Sequence, residues 1–291
     1  MRPSAAILEQ LATLRLLPSH AVPSMGIGER RSASRGAGIE FAEHRPYRRG
    51  DDVRHIDPRV KARLGEDFIR QYFVDRQLPV YVLLDASQSM RAGSPSKFEV
   101  AALIAQLIGF VGLAAGDRVQ VGTAAGGRFR WSDPLHGVAR ADRLFATVGG
   151  VSPGGRMAFG DAIEQAVNGM GRRAQVVVIG DFWDDGVPAA LRQLQLHGHE
   201  VIAIQVVDPE ELDPRSIGAG TLTMIDDETG EEIERAVDEN TLRQYQDELA
   251  RHVDALRRRL VAGGGRFFQV AATDDIERFV TRDLRAAGVL S

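Results

Sequence analysis

The sequence predicts an α/β protein built on a doubly wound, mostly parallel sheet, preceded by a basic N-terminal arm. Three observations lead there. Five short apolar runs, at 80–84, 119–121, 176–179, 201–207 and 267–270, are mostly rich in Val and Ile and lack alternation, as expected for strands buried on both faces. Helical patterns separate the runs, which supplies the crossovers a parallel sheet needs. The first 76 residues carry 14 Lys and Arg against 10 Asp and Glu, whereas the 291-residue chain has a net charge of −4, so a basic start precedes an acidic remainder.

The elements follow in order. Ile7, Leu8, Leu11 and Leu14 fall on one helical face, and Glu9 and Arg15 break the apolar stretch that an export signal would need. Pro18 to Pro23 reads as a break. Residues 26–63 carry many Arg, Gly and Asp with few apolar anchors, so they are expected to lie against the main domain as an extended arm. The expected boundaries are therefore 1–76 for the helix and arm and 77–291 for the domain. Residues 97–115 form an apolar helix opened by Ser96-Lys97-Phe98-Glu99, a capping-box pattern. Its uncharged run of 17 residues, 100–116, reaches only the lower edge of spanning length, so a buried core helix is expected and no membrane span. Residues 127–131 follow 119–123 across Gly126-Gly127, a hairpin signal that makes one edge strand antiparallel. Shorter helices are expected at 137–147, 160–170 and 187–197, and a second hairpin at 221–236, turning at 228–230. In residues 240–262, Leu242, Tyr245, Leu249, Val253, Leu256 and Leu260 keep a helical period, and Gly263-Gly264-Gly265 stops it.

Composition excludes several function classes. The absence of cysteine removes disulfides, cysteine-ligated metals and a cysteine nucleophile. The acidic balance argues against nucleic acid as a partner, and Tyr47 is the only aromatic residue in the basic run, so stacking groups for single strands are scarce. The P-loop, dinucleotide and nucleophile-elbow patterns are all missing.

In open α/β sheets, ligands gather at the carboxyl ends of the strands. Asp85, Ser87 and Ser89 follow the first strand as D-x-S-x-S. In a tight loop, one carboxylate and two hydroxyls can face a common point and offer hard oxygens to Mg²⁺, Ca²⁺ or Mn²⁺. Asp181, after a neighbouring strand, adds a second carboxylate. In the competing reading, the serines cap the next helix and bond loop backbone. Asp184, Asp185, Asp208, Asp274 and Asp275 also follow strands. No catalytic residue is assigned: Asp85-x-Ser87 lacks the second carboxylate of an aspartyl-phosphate phosphatase. His197 and His199 are expected to face solvent, Trp131 to pack, and Trp183 to pack half exposed beside Asp181.

D-A-S-Q-S-M after an apolar strand resembles the metal-ion-dependent adhesion site of von Willebrand factor type A domains. Residues 41–57, F-A-E-H-R-P-Y-R-R-G-D-D-V-R-H-I-D, resemble the signature of the family known as domain of unknown function 58. The Asp-Glu-Thr-Gly-Glu turn at 227–231 and the helix carrying Tyr245 agree, so the resemblance covers roughly residues 26–285. It implies a von Willebrand A-like domain, usually encoded beside a MoxR-type AAA+ ATPase, in systems thought to activate or assemble other proteins in a chaperone-like way. Such a chain would be a cytoplasmic, non-enzymatic interaction module whose partners are the ATPase and a client protein. A metal in the loop site would leave one coordination position for a partner's Asp or Glu.

Within the arm signature, Arg45, Tyr47, Gly50, Asp51, Arg54 and Asp57 stand as a docking surface for an acidic partner. The opposing reading has Arg45, Arg54 and Arg63 pairing with the acidic domain and pinning the arm. The chain also departs from the family pattern. Met157 occupies the position where adhesion sites usually have Thr, Arg156 brings a positive charge beside it, and Pro58 replaces a usual Trp. A thioether is a poor ligand for a hard cation. Mg²⁺, or Mn²⁺ or Ca²⁺, is therefore expected to bind weakly or not at all. The alternatives are a metal-dependent hydrolase using Asp85 and Asp181, or a structural domain with a dead metal site.

Overall fold

The computed structural model describes residues 2–18, 40–47, 56–73, 79–171, 173–212, 220–225, 232–237 and 239–291. It divides into two units, Met1–Ser19 with Leu78–Ser291, and His20–Gln77. The N-terminal helix thus groups with the main domain and not with the arm, which differs from the boundary at 76. The helix α1 (Ala5–Leu11) is capped by Ser4, whose side chain accepts from the Ile7 N–H. It buries Ile7 and Leu11 in the same core as Leu14 and Leu16. The segment after it pairs with the chain's end: Arg15 and Ser291 exchange backbone hydrogen bonds, and the Leu17 N–H reaches the Val289 carbonyl at 2.8 Å.

The arm unit has more regular structure than an extended segment. β1 (Glu40–Pro46) and β2 (Phe68–Phe73) pair antiparallel, with an irregularity between Phe41 and Glu43. Between them lies α2 (Pro58–Leu64). Asp57 caps it by accepting from the Arg59 N–H at 2.9 Å, and Pro58 takes the first helical position, where a missing N–H costs nothing. Arg45 lies in β1, Tyr47 is half-buried and Asp57 is buried. Gly50, Asp51 and Arg54 lie outside the described residues, as does the 228–230 turn.

In the main unit, β3 (Val80–Ala86) is buried along its whole length. It is followed by α3 (Lys97–Ala114), β4 (Arg118–Ala125), β5 (Arg128–Trp131) and the short β6 (Leu135–His136). Next come α4 (Ala141–Gly149), α5 (Phe159–Gly169), β7 (Gln175–Gly180), α6 (Val187–Leu196), β8 (Glu200–Val207) and α7 (Pro209–Leu212). The hairpin β9 (Gly220–Ile225) and β10 (Glu232–Val237) precedes α8 (Glu239–Ala262) and β11 (Arg266–Ala271). A last helical segment runs from Ile276 to Ala286, with a π-helical middle at Phe279–Asp283.

The main sheet has the order β11-β8-β7-β3-β4-β5, with β6 also paired to β4. β5 and β6 run antiparallel to β4, and the other pairings are parallel. The antiparallel edge is the one the Gly126-Gly127 turn predicts; the two glycines have φ of 59° and 72°. Two apolar cores fill the faces. One gathers α1, α3, α4 and the C-terminal helical segment, and the other gathers α5, α6 and α8. α3 is the one helix among the described residues long and apolar enough to cross a membrane by length and composition, and it is 89% buried inside the fold.

The order places the switch point of the sheet between β3 and β7. The chain leaves β3 toward β4 on one side, and β7 continues toward β8 on the other. That is where crevices form in doubly wound folds.

Because α1 is part of the main core, truncating Leu11, which is fully buried, should cost about 2–5 kcal/mol of domain stability. Urea unfolding of Leu11→Ala measures this, with the exposed Leu196→Ala as a control expected within about 0.5 kcal/mol of wild type. An unchanged midpoint for Leu11→Ala would show that the segment is an appendage.

Candidate functional site: a buried lysine among strand-end carboxylates

At the switch point lies a cleft of about 480 Å³. It brings together all four of the predicted site residues of the main domain: Asp85, Ser87, Ser89 and Asp181. Trp183, Asp184 and Asp185 from the loop after β7 also line it, as do Met157 and Phe159 and, unanticipated from the sequence, Lys97 and Glu211.

Asp85, the penultimate residue of β3, is almost wholly buried, and its Oδ1 accepts from the Ser87 N–H at 2.9 Å. The Ser87 and Ser89 hydroxyls lie 3.1 Å apart. Ser87 precedes the 3-10 turn Gln88–Arg91, yet its side chain makes no capping bond to it. The capping alternative therefore does not describe Ser87.

The loop carrying Met157 is fixed by glycine. Gly154 donates to the Ala86 carbonyl at 2.8 Å, and the Gly126 N–H donates to the Gly154 carbonyl at 2.6 Å. Gly155 has φ 82°, and a Cβ there would sit 2.5 Å from the Gly126 Cα. Met157 then faces the cleft, as its alignment with the usual Thr position predicts. Arg156 is exposed and outside the cleft lining, so the expected positive charge beside Met157 is not the one that reaches the site.

The positive charge in the site comes from Lys97. It is 1% exposed, and its Nζ donates to Asp181 Oδ2 at 3.0 Å and to Glu211 Oε1 at 2.5 Å. Lys97 opens α3, whose Ser96–Glu99 capping box is fully formed. The first turn of a helix disfavours a cation, and burial of an unpaired charge costs several kcal/mol. Both penalties are met by the two carboxylates. Burial alone would push the ammonium's pKa down, but Asp181 and Glu211 more than offset it and hold it above the ordinary lysine value. Lys97 is therefore charged at neutral pH.

A second set of bonds holds the carboxylates. The buried Gln205 donates to the Asp181 carbonyl at 2.8 Å and accepts from Gln269 at 3.0 Å. Phe182 sits at φ 60°, a left-handed conformation costly for a bulky residue. Its ring is fully buried and stacked on Phe159 at 6.3 Å, and its carbonyl accepts from His252 Nε2 at 3.1 Å. The His252 ring also lies 5.4 Å from that of the half-buried Trp183. Glu211 Oε2 accepts from the Asp208 N–H, and Tyr245 of α8 donates to the Glu211 carbonyl at 2.9 Å. Asp184 accepts from Gly160 at 2.6 Å and from Gly186 at 2.9 Å, tying together the starts of α5 and α6.

The remaining sequence candidates have other roles. Asp208, Asp274 and Asp275 accept from the backbone of Glu210, Ala271 and Arg278. His197 is exposed as expected, but His199 is buried beside the start of β8, which corrects the expectation that both face solvent. Trp131 packs against Tyr81 and Phe129 at 5.2 and 5.1 Å. Among the described residues, no three Asp, Glu or His side chains converge as a metal-binding group.

Asp85 carries a testable electrostatic signature. Burial, and then repulsion by Asp181, raise its pKa from 3.8 to about 7, although the Ser87 bonds and Lys97 pull the other way. Between these values the folded chain holds a proton that the unfolded chain has released. The stability this contributes is complete below pH 4 and is lost as the pH rises through about 7. Asp85→Asn keeps an acceptor for the Ser87 N–H and removes the titration. In EDTA, its melting temperature relative to wild type should rise between pH 5 and pH 8. An equal difference at the two pH values would contradict the assignment.

Comparisons with known proteins place the chain in a family. The family model described as "Protein of unknown function DUF58" matches residues 43–255. Uncharacterized proteins from Mycobacterium tuberculosis and Mycobacterium bovis are 29% identical over 292 residues, covering 95% of this chain and 90% of theirs. Among solved structures, the conserved hypothetical protein BatB from Bacteroides thetaiotaomicron is 17% identical, with a TM-score of 0.42, over 72% of this chain and 98% of that one. The VWA domain of SpRpn10 is 11% identical, with a TM-score of 0.39, over 69% and 92%. The chain belongs to the family described as Protein of unknown function DUF58.

Proposed function

We propose that this chain is a non-enzymatic protein-interaction module, an adaptor for a MoxR-type AAA+ ATPase in the activation or assembly of client proteins. The observation that carries this reading is the cleft itself. It is open at the carboxyl end of the sheet, and its polar groups are engaged with one another. Asp181 and Glu211 hold Lys97, Asp184 holds two helix starts, and Asp85 holds the Ser87 turn. Groups fixed in this way make a rigid recognition surface. With Asp181 held by Lys97 and Asp85 bonded to the Ser87 N–H, the hydrolase alternative built on those two carboxylates is the less favoured reading. Trp183, half-buried in the cleft and backed by His252, is the aromatic anchor expected at the centre of such a surface.

Analytical ultracentrifugation of the full chain with a MoxR-type AAA+ ATPase, with ATP and with ADP, tests the proposal. A complex should form in at least one nucleotide state. Trp183→Ala should weaken it about tenfold or more. Absence of a complex in both states, or turnover of phosphoester substrates by the purified chain, would overturn the reading.

A further inference from the structure

The residues present do not fit a divalent cation. The carboxylate that D-x-S-x-S would recruit from the neighbouring strand, Asp181, already accepts from the Lys97 ammonium at 3.0 Å. Glu211 accepts from the same nitrogen at 2.5 Å. Met157 lines the cleft where a hydroxyl oxygen would be needed. A divalent ion drawn to Asp181 would meet a buried, fixed positive charge within bonding distance of the same oxygen. Lys97 cannot leave easily, because its side chain is 1% exposed and rises from the first turn of a fully capped helix.

We infer that the Lys97 ammonium is the resident cation of this site, standing in place of a divalent metal, and that the site works without one. An ammonium offers short, directional N–H bonds to carboxylates, as a hard cation offers coordination. Two of its three N–H donors are taken by Asp181 and Glu211, and its burial keeps the third from an incoming carboxylate. The surface around it is acidic. Asp184, Asp185 and Glu211 line the cleft with Asp181, against the one positive charge of Lys97. Resting on the interaction-module reading, the inference extends to the ligand: the cleft takes a cationic side chain of its partner, Lys or Arg, beside Trp183, and not the partner's Asp or Glu.

Two measurements on the full chain separate the parts. The first needs no partner. Calorimetric titration of wild type with Mn²⁺ or Mg²⁺ to 10 mM should give no binding heat, and 5 mM Mn²⁺ should move its melting temperature by less than about 1 °C relative to EDTA. Lys97→Met leaves Asp181 and Glu211 unpaired, so its melting temperature in EDTA should fall by roughly 10 °C. Mn²⁺ should then restore several degrees by taking the vacated position. Saturable binding by wild type would overturn the inference, and that arm stands whether or not the variant folds. A folded Lys97→Met protein that ignores Mn²⁺ would equally show that Lys97 holds no cation site. The second measurement uses the partner complex. Its affinity should be unchanged by EDTA, and Asp185→Asn should weaken it severalfold, more at low salt than at high. Loss of the complex in EDTA would refute metal independence, and tighter binding by Asp185→Asn would refute the cationic ligand. If no complex forms at all, the adaptor reading fails while the metal titration still decides the identity of the cation.

Discussion

The ion pair of Lys97 with Asp181 and Glu211 is the constraint around which the cleft is organised. A lysine at the first position of an 18-residue helix faces the wrong end of the helix dipole, and here it is also removed from water. It stays charged only because two carboxylates, one from the loop after β7 and one from α7, close on the same nitrogen. Three separate elements, α3, the β7 loop and α7, are thereby tied at one point. Removing Lys97 would leave two carboxylates without their counter-ion, which is strongly destabilising in a buried site.

The rest of the site serves that geometry. The sheet order places β3 and β7 side by side at the switch point, so Asp85 and Asp181 emerge together. A Cβ at Gly180 would lie 2.9 Å from the Asp85 Cβ, so glycine at the end of β7 is what lets the two strand ends approach. The strained Phe182 then turns the chain so that its ring is buried while Asp181 and Trp183 face the cleft, and the Gln269–Gln205 pair holds the Asp181 backbone from behind. The proximity has an electrostatic consequence: the two carboxylates repel, and the more buried Asp85 keeps its proton toward neutral pH.

The fold was largely legible because buried parallel strands write themselves as unbroken Val and Ile runs, and all five runs became strands of the main sheet. The strand-end rule likewise located Asp85, Ser87, Ser89 and Asp181 in one cleft. Lys97 was hidden by its local context. Within Ser96-Lys97-Phe98-Glu99 it reads only as part of a capping-box pattern, and nothing nearby in the sequence announces that its partners lie 84 and 114 positions away. Glu211 was hidden in the same way, since it falls in a four-residue helix after β8 and not directly at the strand end. The grouping of α1 with the main domain was missed because the charge contrast between residues 1–76 and the remainder suggested one boundary. The apolar face of Ile7, Leu11 and Leu14 was the better guide. His199 departs from expectation because a histidine beside a glycine turn looks solvent-facing, whereas this one is buried.

The central claim is that a lysine occupies the cation position of an adhesion-type site. A crystal structure of the chain soaked in millimolar Mn²⁺, with anomalous data collected near the manganese edge, tests it most directly. The account predicts Lys97 Nζ within hydrogen-bonding distance of both Asp181 and Glu211, and no anomalous peak in the cleft. A manganese peak bounded by Asp85, Ser87 and Ser89, with the Lys97 side chain displaced from Asp181, would contradict it.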